Sequence, residues 1–314
     1  LASGIIAEAQ QTGKIARIGY ISGAGDASNP GPYVDALRQG LQNLGYVEGK
    51  NYLIEYRGAG GNSELRSNLI NELVGLKVDV LVVTTLPLIL AAKQATKTIP
   101  IVMISNREPV AAGVVVSLAR PGGNITGLST LSQDLSGKRL ELIKEVIPRL
   151  RRVGILLNPG QAASITFKEY ETAAQGLKLQ LQRMEGDRHK LDLDAVFQSA
   201  LKANVSGMIT ITASLLIRHQ KQIADLAIRK RLPSMFEGST WVESGGLMSY
   251  STDDFAVYRR AASYVDKILK GTKPADLPVE QPMKFEFIIN LKTAKQIGLT
   301  IPQWTLMKAD RVIR

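Results

Sequence analysis

A chain of 314 residues with 45% hydrophobic side chains is long enough to bury two ordinary α/β cores. It contains no cysteine, which excludes disulfide scaffolds, thiolate zinc sites, iron–sulfur clusters and cysteine nucleophiles together. The formal net charge of +11 is scattered: its densest runs, Arg149 to Arg152 and Arg229-Lys230-Arg231, sit at ends of helical patterns, so a solvated surface and no nucleic-acid partner are expected.

At the amino end, Leu1 to Gln11 combines small apolar residues with Ala7-Glu8-Ala9, the small-x-small pattern that signal peptidase accepts. An ordinary frayed arm is the competing reading. From Arg17 onward, short β-branched runs alternate with longer amphipathic patterns, the signature of parallel sheets covered on both faces. Strands are expected at Arg17 to Ser22, Tyr52 to Arg57, Val78 to Thr84 and Ile101 to Ile104, with helices at Tyr33 to Leu44, Glu64 to Gly75 and from Pro87 to Ala95. The third strand is a nearly continuous apolar run and therefore central. Pro87 suits a first helical turn, where its missing N–H costs nothing.

The same programme restarts at Arg152. Strands are expected at Val153 to Leu157, Leu179 to Met184, Gly207 to Thr212 and Pro233 to Phe236, and helices at Ala163 to Gly176, Leu193 to Ala203 and Ile217 to Arg229. Gly245 to Ser251 then reads as a strand, Asp253 to Leu269 as a long helix, Gly271 to Pro282 as a connector, Lys284 to Asn290 as a strand and Leu291 to Ile297 as a helix. Too few elements remain for a third domain. The fold class expected is therefore α/β, two doubly wound parallel-sheet lobes joined by a hinge of about three crossings, an arrangement that favours closure over free tumbling. The division expected is 1–13 as a residual signal or arm, 14–128 plus 252–279 as the amino-terminal lobe, and 129–251 plus 280–314 as the carboxy-terminal lobe.

In open parallel sheets, ligands bind beyond the carboxyl ends of the strands, where helix amino termini also point their N–H groups. Strand by strand, that rule selects Ser22, Tyr33, Thr84, Thr85, Ser105 and Asn106 from the first lobe. From the second it selects Asn158, Thr212, Ser214, Glu237 and Trp241, with Tyr250 near the hinge. These are neutral donors and acceptors with a few aromatics, suited to holding a small polar molecule rather than transforming it. Capping of turns and helices is the competing role for the hydroxyls, a tight turn for Asn158-Pro159-Gly160, and half-buried packing for Tyr33 and Trp241. Glu237 is the carboxylate best placed for a ligand ammonium, with an exposed loop acid as its alternative.

The familiar signatures fail. Gly23-x-Gly25 lacks the third glycine of a dinucleotide loop, Ser28 standing in its place, and a proline-bearing loop follows where a helix should open. Neither a phosphate-binding P-loop, nor a hydrolase G-x-S-x-G, nor H-E-x-x-H is present. His189 and His219 each lie among lysines and arginines, which repel a metal cation. No catalytic residue, metal or cofactor is expected.

The run Ser117-Leu118-Ala119-Arg120-Pro121-Gly122-Gly123-Asn124-Ile125-Thr126-Gly127-Leu128 resembles the signature of the ABC-transporter substrate-binding family labelled as a tryptophan/tyrosine-type uptake component, a branch of the type I periplasmic binding proteins. The resemblance extends over nearly all of the chain from Ile15, through Leu44-Gly45-Tyr46-Val47-Glu48-Gly49-Lys50-Asn51, Ile99-Pro100-Ile101-Val102, Gly245-Gly246-Leu247-Met248-Ser249-Tyr250 and Ile289-Asn290-Leu291-Lys292-Thr293-Ala294. It implies an exported two-lobed binder, periplasmic and without catalytic residues, that works with a membrane permease and an ATPase. Two departures stand out. Arg107-Glu108-Pro109-Val110 replaces the family's Asp-Pro-Val, and Glu237-Gly238-Ser239-Thr240 lacks an expected Arg-Glu pair.

The reading that follows is a monomeric binder of an amino acid or similar small carboxylate. A ligand-sensing regulator on the same lobes is the first rival, though residues ahead of Arg17 carry no helix-turn-helix pattern. An α/β enzyme is the second, separable by assaying turnover of the bound molecule.

Overall fold

The computed structural model describes residues 15–314 apart from 24, 26, 27, 61, 63, 131–134, 159, 160, 187–190, 282 and 283. The leader reading at Leu1 to Gln11 and His189 therefore lie outside the described residues. Among the described residues, the strands form two sheets.

The first sheet has the order β2-β1-β3-β4-β5, with every neighbour parallel. Its strands are β1 Ala16–Ser22, β2 Tyr52–Gly58, β3 Val80–Thr84, β4 Ile101–Ser105 and β5 Ile125–Ser129. Helices α1 Pro32–Asn43, α2 Arg66–Gly75 and α3 Leu86–Ala95 cover its faces, and α1 and α3 each carry a proline in the first turn. β3, β4 and β5 are buried at every position, as strands covered on both faces must be.

The second sheet has the order β12-β11-β10-β9-β8-β6-β7. Its strands are β6 Arg152–Leu156, β7 Gln180–Met184, β8 Gly207–Thr210, β9 Ser234–Phe236, β10 Met248–Thr252, β11 Phe285–Asn290 and β12 Arg311–Ile313. The helices around it are α4 Ser136–Val146, α5 Gln161–Gly176, α6 Leu193–Lys202, α7 Ser214–Arg218, α8 Gln220–Arg229, α9 Ser239–Glu243, α11 Leu291–Ile297 and α12 Gln303–Leu306.

The long helix α10, Asp254–Leu269, belongs to the first lobe although it follows a strand of the second. Its Val257, Tyr258, Ala261, Ala262, Tyr264 and Val265 share one core with Ile18, Leu37, Leu41 and Val82. Gly40 of α1 permits the approach, since a Cβ there would stand 2.5 Å from the Arg259 carbonyl oxygen. The chain thus passes between lobes after β5, after β10 and again before β11. The last return explains why β10 and β11 pair antiparallel in an otherwise parallel sheet: the chain leaves at the hinge end of β10 and re-enters there, so the next strand runs back.

Several expectations change. The helix expected at Ile217 to Arg229 is two helices, α7 and α8, with His219 at the break, its Nδ1 3.3 Å from Gln222 Oε1. Glu237 to Trp241 is not a plain strand-end loop, because α9 opens at Ser239. β5 and α4 follow the Pro121-Gly122-Gly123 turn, where no element was expected. Gly127 is required inside β5: its φ is +137° and a Cβ would lie 2.1 Å from the Met103 carbonyl oxygen.

Candidate functional site

The carboxyl ends of both sheets face one another across a cavity of 110 Å³. From the first lobe it is lined by Tyr33 of α1, Thr84 and Thr85 after β3, Ile104 and Asn106 around the end of β4, and Thr130 after β5. From the second come Thr212 after β8, Ile217 of α7, Glu237 and Gly238 after β9, and Thr240 and Trp241 of α9. Ser251 and Thr252 at the end of β10, with Asp254 and Tyr258 of α10, complete the wall beside the hinge. The strand-end rule places these residues: parallel strands present their last side chains, and the first turn of each following helix, to the same space.

Glu237 is a buried, fully engaged acid rather than an exposed loop carboxylate. Its side chain is 5% exposed, and that of Arg139, on α4, is 0% exposed. Glu237 Oε1 accepts from Arg139 Nη1 at 2.9 Å and from the Tyr170 hydroxyl at 3.1 Å, and Oε2 accepts from the Thr212 N–H at 2.8 Å. Arg139 also donates Nε–H to the Tyr250 carbonyl at 2.8 Å. A buried charge pair survives only with such compensation.

Asp254, the first residue of α10, carries the second carboxylate of the wall. It accepts from the Tyr33 hydroxyl at 3.2 Å and from Thr252 Oγ1 at 3.3 Å. Burial pushes its pKa up to about 6, against the pull of those two hydroxyl donors. Tyr33 is held in place by its own ring, stacked on Tyr258 at 4.7 Å and tilted against Phe255 at 5.4 Å. Burial, and then the Asp254 charge, raise the Tyr33 hydroxyl well above its ordinary value.

Thr85 has φ of +69°, a left-handed conformation that a β-branched residue adopts only under constraint. It caps α3 with its N–H bonded to the Ile104 carbonyl at 3.3 Å. Trp241 is stacked on Phe236 at 4.8 Å, so one face is packed while the residue still lines the cavity. Thr212 Oγ1, in the wall of that cavity, is buried and has no hydrogen-bond partner among the described residues.

The lobes touch directly outside the cavity. Arg218 Nη1 of α7 donates to the Gly60 carbonyl at 2.7 Å, and Arg107 Nη2 donates to Thr166 Oγ1 of α5 at 2.8 Å. Ser214 Oγ closes against Gly23, where an added Cβ would stand only 2.2 Å from it.

Of the expected site residues, Tyr33, Thr84, Thr85, Asn106, Thr212, Glu237 and Trp241 come together around the cavity; Ser22, Ser105, Asn158, Ser214 and Tyr250 do not line it. Ser105 is fully buried and caps its own turn, donating to the Arg107 carbonyl and accepting from the Arg107 N–H. Tyr250 packs between Phe285 and Phe287. Ser22 lies at the end of β1, its carbonyl accepting from the Ala59 N–H. Asn158 is half-buried beyond the end of β6, and Ser214 serves the contact with Gly23. Among the lining residues that sequence reasoning missed are Thr130, Ser251, Thr252, Asp254 and Tyr258. For Asp254 the Asp253-Asp254 pair was the available signal, but it reads as a helix cap, a role that Asp253 fills by accepting from the Ala256 N–H.

Residues 27–313 match the model of the ABC transporter substrate binding protein family. The chain belongs to that family. Its members are solute-binding proteins that serve ABC transporters, and this chain binds a small organic solute. A tyrosine-binding protein of Clostridioides difficile (strain R20291) is 26% identical over 285 residues, 85% of this chain and 78% of the relative. A conserved domain protein of Vibrio cholerae O1 biovar El Tor superposes with a TM-score of 0.84 at 30% identity, covering 95% of this chain and all of its own. A domain from Streptococcus pneumonia, solved in complex with L-Trp, gives a TM-score of 0.81 at 25% identity over 94% of this chain and 100% of its own. No helix among the described residues is long and apolar enough to cross a membrane.

Proposed function

We propose that this chain is the exported, periplasmic receptor of an ABC importer, a monomer that closes its lobes around an amino acid or similar small carboxylate and hands it unchanged to a permease powered by an ATPase. The lobes are taken to follow the two sheets, so the expected divisions at 128/129, 251/252 and 279/280 each move by one or two residues, keeping Ser129, Thr130 and Glu280 with the first sheet and Thr252 with the second. One observation carries the reading: the cavity is walled by both lobes at once, so only a solute touching both favours the shut form. Hydroxyls and helix amino ends on the wall suit a carboxylate, which N–H groups can hold without a cationic side chain. The tyrosine-binding relative and the L-Trp complex support an amino-acid solute. Tyr33, Thr84, Thr85, Asn106, Thr212 and Trp241 are the proposed contacts.

A thermal-shift screen of amino acids and aromatic acids tests this reading, paired with mass analysis of the bound compound after release. Stabilisation by a compound recovered intact supports a binder. A chemically altered product would make the protein an enzyme.

A further inference from the structure

We propose that Asp254 is the receptor for a protonated nitrogen of the solute, so that an amine is an obligatory part of the ligand. The inference rests on the cavity being the solute site and adds what that site selects.

The charges on the wall decide it. Among the described residues, no lysine, arginine or histidine lines the cavity, and the charged residues of its wall are Glu237 and Asp254. Glu237 is neutralised from behind by Arg139 and also accepts from Tyr170 and the Thr212 N–H. Among the described residues, Asp254 has no cation within ion-pairing distance, and its side-chain hydrogen bonds come from two hydroxyls, those of Tyr33 and Thr252. An ionised carboxylate offers about four acceptor positions, and these two hydroxyls take one on each oxygen. Asp254 Oδ2 also reaches the opposite wall, 3.5 Å from where a Cβ on Gly238 would stand. A cation on the open side of that carboxylate would therefore meet both lobes, and the rings of Phe255 and Tyr258 hold Tyr33, the hydroxyl donor to Oδ2, in place.

A purely structural role, Asp254 serving as the acceptor for Tyr33, predicts different behaviour, because an asparagine oxygen accepts equally well. The pH response separates the two further. The groups facing Asp254 are Asp253 and Tyr258 on its own helix, Tyr33 from α1, Arg139 from α4 and Glu237 beside Gly238. Burial raises both tyrosines, so they stay neutral, and Arg139 stays charged. With Asp254 ionising at about 6, amine binding weakens as pH falls below that value, approaching tenfold per pH unit.

The experiment titrates the wild-type protein and Asp254→Asn by calorimetry with matched probes: L-tyrosine and L-tryptophan, their amines tyramine and tryptamine, their desamino acids 3-(4-hydroxyphenyl)propionate and 3-(indol-3-yl)propionate, and glucose, beside the other L-amino acids. The expected result is binding of amine-bearing probes, at least 100-fold weaker binding of desamino acids to the wild-type protein and of amine-bearing probes to Asp254→Asn, and loss of affinity below pH 6. Desamino acids or glucose binding as well as any amine, or Asp254→Asn binding like wild type, overturns the inference and leaves the solute-binding reading standing. If no probe of any class binds the wild-type protein, both fall. The comparison among probes needs no variant, so it holds even if Asp254→Asn folds poorly.

Discussion

Arg139 and Glu237 form an ion pair at 2.9 Å with side-chain exposures of 0% and 5%, joining α4, the first helix after the chain crosses from the amino-terminal lobe, to the wall of the cavity. Because Arg139 also holds the Tyr250 carbonyl, one guanidinium ties together β10, the segment just after β9 and the first helix of its lobe. Arg139→Met should strand the Glu237 charge and cost about 3–5 kcal/mol in urea unfolding. A loss below about 1 kcal/mol would show that the pair is not the tie described.

Asp254 makes an opposite prediction. Its carboxyl ionises at 3.8 ordinarily and at about 6 in the folded chain, so between those values the folded state holds more protons than the unfolded one. Its contribution to stability therefore falls as pH rises through that window and is level above it. Asp254→Asn should match the empty wild-type protein near pH 4 and melt a few degrees higher at neutral pH. Thermal melts of both proteins across pH check this; a variant that melts lower at neutral pH would contradict it.

The Gly23–Ser214 contact is a closure test. Gly23→Ala places a methyl group where Ser214 Oγ stands when the lobes meet, so it should prop the cleft open, weakening solute binding about tenfold or more with an unchanged melting temperature for the empty protein. Gly23→Ala with Ser214→Gly should recover most of the affinity. Failure of the second change to rescue would place the effect of the first elsewhere.

Arg218 tests the same closure from the rim. Its guanidinium is exposed and reaches the Gly60 carbonyl on the other lobe, so Arg218→Ala should weaken binding by about threefold to tenfold and leave unfolding untouched. Small-angle scattering of the loaded protein should show a more open average shape.

Most of the architecture was legible because the buried strands are written as β-branched runs: Val80–Thr84 and Ile101–Ser105 are buried on every residue. Ile125–Ser129 was not, since Gly127 makes it read as a turn while the glycine serves the close approach to Met103. The reversal between β10 and β11 follows from the hinge route, which no local pattern encodes. At the site, Thr84, Thr85, Asn106 and Thr212 were legible from strand ends alone. The partnership of Glu237 with Arg139 spans 98 positions and that of Asp254 with Tyr33 spans 221; such pairs are created by lobe packing.

The most direct test of solute capture in this cleft uses its own fluorophore. The chain has two tryptophans: Trp241 lines the cavity at 2% exposure and Trp304 lies at 59%. In Trp304→Phe, titration with a non-fluorescent compound found to stabilise the protein should shift Trp241 emission saturably with one equivalent bound, and the Gly23→Ala background should weaken that response in step with affinity. Stabilisation without any change in Trp241 emission would place the solute outside the cavity and contradict the account.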